Sequence, residues 1–578
     1  MVKNKLMHDK NLKQFLLGIV ILVVINIISS YVWYRFDLTS DKRYTLSRAT
    51  RQMLKNMDDK ITFKVYLGGS LPSGFQRLRN ESAEMLKQFK AYSGHVAFEF
   101  IEPVEKPTDK KDKISYKELF DMGINPLDLQ VKNSDGLTRK LAFPAAVIEY
   151  KGRKVVVDLF KNRIGLSPEE ILNNSVQGLE YSFVNGMRKL TIDKKQKIAF
   201  LHGHGELEPI YTYSAERILS EYYDVEHVKI SAHPNRVFVP AYDQPDSVNR
   251  NLNYYAAIIV AKPDSAFDKK EYEKYVLDQF VMRGGKMLWL VEPVKTALDS
   301  LRKTGQTVGV AQDLNLDDMF FNYGVRLNSD LVVDLNALPI PVVVDQRGTQ
   351  DLLPWLYYPL LQPSNAHAVT KNLNAIKSEY VSSIDTVETP NVKKTVLLST
   401  SQYSRKIQAP AMIKLAYLYQ KADPNLLNQP HQPIAILLEG AFNSLFFNRM
   451  PPVNNLAGQS FVPKSSENAM IVISDGDIIK NQLQDDNGKP YPLPLGKDKY
   501  TGEQFGNDDF ILNAVNYLCG DKGLLDIRTR EVKLRMLDKT KIEKNRTFVQ
   551  LLNIILPLCI IVLFAWLYLY NRKRKYNR

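Results

Sequence analysis

Two long runs without a charged residue lie near the ends of the 578-residue chain. They are FLLGIVILVVINIISSYVWY, residues 15–34, and FVQLLNIILPLCIIVLFAWLYLY, residues 548–570. About 20 apolar residues are enough to cross the hydrocarbon layer of a bilayer as a helix. The first run is too long for a cleaved signal peptide, and no small-residue cleavage site follows it. The pattern therefore predicts a transmembrane helix at each end.

Between residues 61 and 193, alternating strands and amphipathic helices follow the order β-α-β-α-β-β-α. This order is typical of a thioredoxin-like domain. The chain has no C-x-x-C motif, so we expect a binding or spacer module without redox chemistry. The predicted strands are Ile61–Leu67, Val96–Ile101, Leu129–Lys132, Ala145–Tyr150 and Lys154–Leu159, and the predicted helices are Ser73–Gly94, Tyr116–Asp121 and Glu169–Leu190.

Residues 196–525 alternate between strands and helices in a way that predicts a doubly wound α/β domain with right-handed crossovers. Continuous apolar runs such as Tyr255–Ala261 and Lys286–Val291 are typical of strands buried in a parallel sheet. Residues 330–432 interrupt the rhythm, and we interpret them as an extension of the same domain. Further elements are predicted at Tyr213–Tyr223, Lys269–Arg283, Ser378–Ile384, Thr395–Thr400, Ile434–Leu438, Met470–Ser474 and Phe510–Cys519.

The distribution of charge is more informative than the formal net charge of +14. Basic residues concentrate beside the two apolar runs, in residues 1–14, in the juxtamembrane segment 35–60, in a basic stalk at 526–546 and in the tail 571–578. This placement indicates contact with anionic membrane lipids and not a nucleic-acid surface.

The basic tail also predicts the orientation in the membrane. It holds five basic residues and no acidic one, so we expect the C-terminus to be cytoplasmic. Two spans then return the N-terminus to the same side of the bacterial inner membrane. The region between the spans becomes a periplasmic ectodomain.

Two loops could carry chemistry because each follows a predicted strand of the α/β domain. His202, His204 and Glu206 offer metal-ligand atoms, although zinc sites need more directed ligands than this segment supplies. Asp475 and Asp477 follow another buried strand, at the sheet edge where α/β domains bind ligands. A tight turn is the alternative for both loops, and we predict no metal and no cofactor.

Catalytic signals are weak elsewhere in the chain. It has no phosphate-binding G-x-x-x-x-G-K-[ST] loop, so a partner would have to bind any ATP that drives the system. It also lacks a G-x-S-x-G nucleophile elbow. Cys519 and Cys559 are its two cysteines, which excludes a disulfide framework, and we interpret both as structural. No catalytic residue is predicted.

The segment PWLYYPLLQP, residues 354–363, combines aromatic residues with three prolines. Such a segment can cap a core, which is the interpretation that we favour. Aromatic residues are also frequent in interface hot spots, so Trp355, Tyr357 and Tyr358 are candidates for a partner surface.

A series of segments, in order along nearly the whole chain, resembles a known family. The chain is similar to the gliding-motility-associated ABC-transporter accessory component of Bacteroidota, a subunit often labelled as substrate-binding. The matching segments are DLTSDKRYTLS, YLGGSLPSGFQRL, KIAFLHGHGELE, GGKMLWLVEPV, LLEGAFNSLFFNRMPP, VISDGDIIKNQL and NDDFILNAVNYLCGDKGLLDIRTREVKLRMLD.

The resemblance implies a six-span, exporter-like permease and a separate ATPase subunit as partners, and a role in gliding motility or related envelope export. It also implies a large domain similar to class I glutamine amidotransferases, whose Cys–His pair has no counterpart here. We therefore expect a non-catalytic accessory subunit. The alternatives are an envelope scaffold without a transporter, a periplasmic metal-dependent hydrolase that uses the two loops, and a ligand sensor.

Overall fold

The computed structural model describes most of the region between the two apolar runs and part of each end. The described residues are 15, 17–24, 26–27, 45–106, 113–133, 136–161, 167–242, 248, 250–268, 270–343, 350–420, 422–453, 455–456, 458–486, 488–520, 523, 527 and 539–576.

Residues 48–191, which we call the first domain, are built on a four-stranded sheet with the order β2-β1-β7-β8. β1 is parallel to β2 and antiparallel to β7. The strands of this part are β1 (Ile61–Val65), β2 (Val96–Phe100), β3 (Glu102–Val104), β4 (Lys113–Ser115), β5 (Leu127–Asn133), β6 (Gly136–Ala142), β7 (Ala145–Tyr150) and β8 (Arg153–Asp158). The helices are Arg48–Lys55, Ser73–Tyr92, Tyr116–Asp121, Pro168–Gln177 and Leu179–Thr191.

Three phenylalanines form the centre of this core. One of them, Phe63, lies on β1, which alternates buried and half-buried residues and turns Phe63 inward. Phe63 meets Phe89 and Phe183 edge to face, with ring centroids 6.1 and 5.6 Å apart. Each predicted strand and helix of this region has a counterpart in the structure, which adds β3, β4, β6 and helix Arg48–Lys55. The thioredoxin-like assignment stays a prediction.

Two details differ from the sequence pattern. The single helix predicted at Glu169–Leu190 is two helices, with Gly178 between them. The first helix begins with a capping box in which Ser167 and Glu170 satisfy each other's backbone N–H groups. The predicted strand at 129–132 belongs to the separate hairpin of β5 and β6.

Residues 196–518, which we call the large domain, are built on an eleven-stranded sheet with the order β11-β10-β9-β12-β13-β28-β25-β22-β19-β18, and β20 pairs with β19. Its strands are β9 (Gln196–His202), β10 (Tyr223–Ile230), β11 (Phe238–Pro240), β12 (Ala257–Ala261), β13 (Lys286–Leu290), β18 (Ala337–Val343), β19 (Gln350–Pro363), β20 (Ile376–Lys377), β22 (Val392–Ser399), β25 (Pro433–Asn443) and β28 (Lys464–Ile473).

Short strands and helices complete this part. The strands form small separate sheets or hairpins: β14 (Val294–Lys295), β15 (Gln306–Ala311), β16 (Val325–Leu327), β17 (Asp330–Asp334), β21 (Ile384–Thr386), β23 (Ser404–Gln408), β24 (Ala411–Lys414), β26 (Asn455–Leu456), β27 (Gln459–Ser460), β29 (Leu483–Asp486) and β30 (Lys489–Pro492). The α-helices are Pro209–Ser220, Tyr272–Met282, Leu298–Thr304, Asp317–Tyr323 and Asn507–Leu518, and 3₁₀ turns lie at Leu415–Tyr419, Pro424–Leu426 and Asp477–Ile479.

The centre of the large sheet is parallel and buried on both faces, as the continuous apolar runs predict. β9, β10, β12, β13 and β28 are parallel, and β25 joins them antiparallel. Successive residues of a strand face opposite sides of a sheet. Accordingly, Trp289 packs into the core on the side of helix Tyr272–Met282, and Leu288 packs into the core on the side of helix Asn507–Leu518.

The region 330–432 extends this same sheet, because β22 pairs with β25 and β19 pairs with β22. The strand predicted at Ser378–Ile384 is wrong. The backbone between β20 and β21 instead bonds to acidic side chains: Glu379 N–H donates to Asp475, and Ser383 N–H donates to Asp330. Between them, Tyr380 N–H and Ser382 N–H donate to the backbone carbonyls of Tyr357 and Ser474, so the segment has no single strand partner.

The C-terminal helix Lys539–Tyr576 is a separate unit that contains Pro557. Within it, Asn545–Arg574 is long and apolar enough to cross a membrane, by length and composition. In the first apolar run, residues 15, 17–24 and 26–27 are helical and exposed, and the rest of that predicted span lies outside the described residues. Most of the predicted stalk also lies outside them, but Ile527 is buried in the core of the first domain.

Gly440 allows two backbones to meet where β25 pairs with β22. Its φ is +142°, and a Cβ there would lie 1.9 Å from the carbonyl oxygen of Asn391. We expect Gly440→Ala to lower the free energy of unfolding by about 2–4 kcal/mol through steric overlap and backbone strain. Denaturant unfolding of the purified full chain measures this change.

Gly488→Ala is the matched control. Gly488 also has a positive φ, +81°, but nothing lies within 4 Å of an added Cβ. Its replacement should cost only the backbone term, about 1–2 kcal/mol. Equal losses in the two variants would contradict the close approach at Gly440.

Candidate functional site

Three neighbouring parallel strands, β12, β13 and β28, end at the same edge of the large sheet. Lys262 follows the first strand, Glu292 follows the second, and Asp475 and Asp477 follow the third. This is the edge where open α/β sheets place their ligands. The sequence predicted Asp475 and Asp477 at this edge. The structure adds Lys262 and Glu292, which the sequence analysis did not include.

The charged groups at this edge form a network of ion pairs between buried carboxyl groups and half-buried lysines. Lys262 Nζ lies 2.8 Å from Glu292 Oε1 and 2.6 Å from Asp477 Oδ2. Lys480 Nζ lies 2.9 Å from the other Asp477 oxygen, Oδ1. We call these residues, together with Asp475, the edge network. Its three carboxyl groups each place an oxygen within 4.8 Å of the others.

Asp475 organises the turn that holds the network together. Its Oδ1 accepts the backbone N–H of Asp477 at 2.7 Å, and its Oδ2 accepts that of Glu379 at 3.1 Å. Gly476 lies so close to Lys262 that a Cβ would be 2.5 Å from that side chain. The turn expected at Ser474–Asp477 is present, and it also fixes the position of the lysine.

The protonation states follow from burial and from the two ammonium groups. Burial, and then the charge of Asp477, raise the pKa of Glu292 well above its ordinary value, and the same two causes raise that of Asp475. Burial opposes ionisation of Asp477 too, but Lys262 and Lys480 outweigh it and hold its pKa below the ordinary value. Asp477 is therefore the preferred anion of the network.

The edge network has the oxygen donors of a magnesium or calcium site. However, an ion shared by the three carboxyl groups would have to compete with the Lys262 ammonium, which already contacts two of them. The lysine ammonium therefore supplies the positive charge that a bound metal ion would otherwise provide. This arrangement favours a structural role over metal binding.

The HGHGE loop places its two histidines in different environments. His202 Nε2 lies 2.8 Å from His227 Nδ1, and His227 Nε2 lies 3.0 Å from Glu216. The ring nitrogens of His204 lie 3.1 Å from Glu206 Oε1 and 3.0 Å from Glu273 Oε2. The predicted trio does not converge on one point, because Glu206 contacts His204 whereas His202 pairs with His227.

His204 also closes the crevice between β9 and β12, where the strand order of the sheet reverses. Its carbonyl accepts the N–H groups of Asp264 and Ser265, both at 2.8 Å. Its ring stacks on Phe267 with centroids 3.7 Å apart. Doubly wound sheets commonly bind ligands at such a reversal. Here the protein's own loops fill it.

The aromatic partner-surface candidates lie in or against a core. Trp355 and Tyr357 are buried in the hydrophobic cluster around Leu331 and Ile413, and Tyr358 is half-buried beside it. They alternate along β19, so Tyr358 points to the opposite side of the strand. This placement corresponds to the core-capping interpretation.

Two open cavities lie elsewhere in the described residues. One of about 510 Å³ is bounded by helices Arg48–Lys55 and Leu179–Thr191 of the first domain. Another of about 370 Å³ lies at the opposite edge of the large sheet, around Lys286, Glu439 and Cys519. Burial raises the pKa of Cys519 to about 12, which makes this thiol unreactive near neutral pH.

Comparison with known proteins gives two family matches. Residues 195–514 match the family described as an ABC-type uncharacterized transport system, and residues 40–149 match a domain of unknown function (DUF7088). An uncharacterized protein of Borreliella burgdorferi is 21% identical over 571 residues, which is 97% of each chain. Among solved structures, the mmIFT52 N-terminal domain aligns with 14% identity and a TM-score of 0.31, covering 56% of this chain and 98% of that one.

The edge network should be sensitive to loss of its central lysine. We expect Lys262→Met to lower the free energy of unfolding by about 3–5 kcal/mol, because it removes the ammonium beside Glu292 and leaves Lys480 as the remaining ammonium beside Asp477. The control is Lys295→Met, which removes an exposed ion pair with Asp264 and should cost about 0–1 kcal/mol. Comparable losses in the two variants, measured by denaturant unfolding, would argue against the network.

His204 should make stability depend on pH. Burial lowers its pKa, but Glu206 and Glu273 outweigh burial and raise the pKa to about 9. Its contribution is therefore complete below the unfolded pKa of about 6.5 and is lost as the pH rises through about 9. We expect the free energy of unfolding to fall by about 1–3 kcal/mol over this range.

His204→Gln should remove most of that fall, as measured by denaturant unfolding at several pH values. His202→Gln is the control, because burial and the neighbouring His227 lower the pKa of His202. A lowered histidine pKa makes stability rise with pH, so this control should leave the fall in place. An unchanged pH profile in His204→Gln would contradict the assignment.

Proposed function

The chain belongs to the family described as an ABC-type uncharacterized transport system, and from this premise we propose that it is a non-catalytic, membrane-anchored accessory subunit of an ABC transporter. Membership implies partners within such a transport system. The finer parts of this proposal are the membrane topology, the absence of catalysis and the process that the transporter serves.

The observation that carries the proposal is that the charged side chains at the carboxyl edge of the large sheet already have partners within the chain. Lys262 and Lys480 neutralise the carboxyl groups there, and both ring nitrogens of His204 have carboxylate partners. A metal-dependent hydrolase would need these groups free to hold a metal or to transfer a proton. The geometry supports a domain that presents surfaces to partners.

Membrane attachment is supported by the apolar helix Asn545–Arg574 at the C-terminal end. The uncharged run at residues 15–34 supports a second span. The basic tail supports cytoplasmic termini and a periplasmic ectodomain at the inner membrane.

We further propose that the transporter serves gliding motility or a related envelope export process. This part rests on the ordered segments that resemble the Bacteroidota component, KIAFLHGHGELE and VISDGDIIKNQL among them. The resemblance implies a six-span permease as a partner. A separate ATPase would bind the nucleotide, because the chain has no phosphate-binding loop of its own.

Purification from native membranes tests the proposal. A C-terminal tag on the full chain, mild detergent and mass spectrometry should recover a permease and an ATPase in a fixed ratio. A variant in which residues 545–574 are replaced by an unrelated apolar helix should stay in the membrane and recover less permease if that helix contacts it. Recovery of the intact, folded full chain without either subunit would contradict the accessory role.

A further inference from the structure

We propose that Phe321, Phe447 and Met450 form a docking surface for a segment of a partner protein that is apolar and carries basic residues. The three residues belong to the large domain and are 56, 55 and 93% exposed. We call them the apolar patch. The inference goes beyond the proposed function, because it is argued from this surface and does not depend on which protein supplies the segment.

The helix that contains Phe321 and the loop after β25 bring the apolar patch together. Asn322 Nδ2 donates to the carbonyl of Asn443 at 2.8 Å, and the Arg449 guanidinium lies 2.9 Å from Asp318 Oδ2. Residues three or four positions apart share one face of a helix. Asp318 and Asn322 are one turn apart and both contact the loop, and Phe321 lies on the face that carries Asp318. The loop therefore passes beside Phe321.

Buried contacts fix the loop and hold Phe447 outward in a defined position. The hydroxyl of Ser444 and the N–H of Leu445 donate to the two carboxylate oxygens of Asp278, which is buried. Phe446 packs into the core of the large domain. A side chain that is already held in place loses less conformational freedom on binding. The exposed phenylalanine is therefore well suited to a contact surface.

The residue types of the apolar patch are those of an interface. Phenylalanine, methionine and arginine are enriched where proteins bind one another. Arg449 lies between Phe447 and Met450 in the sequence, and Asp318 and Glu271 hold its guanidinium at 2.9 and 3.6 Å. Exposed apolar residues that are scattered singly are common on soluble proteins, whereas contiguous ones mark interaction sites.

The charges beside the apolar patch favour a basic occupant. Asp317 lies one helical turn before Phe321, on the same face of the helix. Partial burial raises the pKa of Asp317, and the neighbouring carboxylates of Asp313 and Asp318 raise it further. Arg449 pairs with Asp318, but among the described residues no ion pair includes Asp313 or Asp317. This negative charge complements lysine or arginine side chains of a partner.

The same charges favour a protein segment over a membrane surface. Anionic lipids attract basic side chains. The carboxylates of Asp313 and Asp317 would be repelled by such lipids, so an exposed apolar patch beside them is poorly suited to a bilayer.

Site-specific photocrosslinking of the full chain in its native cells tests the docking surface. Benzoylphenylalanine replaces Phe447 in one variant and Phe321 in another, and mass spectrometry identifies the crosslinked peptides. Both positions should capture the same peptide of another protein, with more lysine and arginine than aspartate and glutamate. The matched control places benzoylphenylalanine at Tyr491, which is 41% exposed on β30, and should not capture that peptide.

A charge reversal tests the chemistry of recognition. In the variant with benzoylphenylalanine at position 447, Asp317→Lys should lower the yield of this crosslink at least about tenfold, because it brings like charges together. Asp224→Lys reverses an exposed charge on β10 and should leave the yield unchanged. Circular dichroism of each purified variant checks folding. Asp313→Lys, outside the helix, repeats the reversal if Asp317→Lys does not fold.

The outcomes separate this inference from the proposed function. Crosslinks to phospholipid, to a second copy of this chain or to an acidic peptide would overturn it, as would equal capture from position 491. No crosslink at either patch position, with permease and ATPase still recovered from the same cells, would overturn the docking surface alone. A basic peptide captured at both positions, without recovery of either subunit, would support the surface and contradict the accessory role.

Discussion

The ion pairs between Lys262 and two buried acidic residues are the constraint on which the large domain depends. Parallel strands end together, so any polar residue that follows them lies beside the others at one edge. Glu292, Asp475 and Asp477 lie too close together for all three to ionise without a cation. The lysine ammonium satisfies this need from within the chain, and the adjoining turns are then shaped around it. An edge that binds ligands in other α/β domains becomes here part of the folded framework.

Much of the large domain could be predicted from the sequence because its strands are buried on both faces and are therefore continuously apolar. The strands at 257–261 and 286–290 agree with that pattern, and so does the last part of the strand at 464–473, where Met470–Ser474 was predicted. The prediction failed at Ser378–Ile384, where the backbone bonds to Asp475 and Asp330. Such acceptors come from residues distant in sequence, so a local hydrophobic pattern cannot indicate them. Gly178 likewise divides a helix whose periodicity continues on both sides.

The candidate site was predicted only in part for a similar reason. Asp475 and Asp477 were found because they follow an apolar strand. The same signal, an apolar run followed by a charged residue and a proline, marks Lys262 and Glu292 in AIIVAKP and MLWLVEP. What the sequence could not indicate was the order of the strands, which decides whether these residues meet. His202 and His204 show the converse, since closeness in sequence did not give them a shared partner.

The burial of Ile527 has a mechanical consequence. The chain completes the large domain with helix Asn507–Leu518 and then inserts Ile527 into the core of the first domain before it continues to its C-terminal helix. Leu46, 12 residues after the N-terminal apolar run in the sequence, is buried in the same core. Tension applied at either end is therefore resisted first by the smaller core. The large sheet, carried between two points of attachment on its neighbour, bears load only after that core yields.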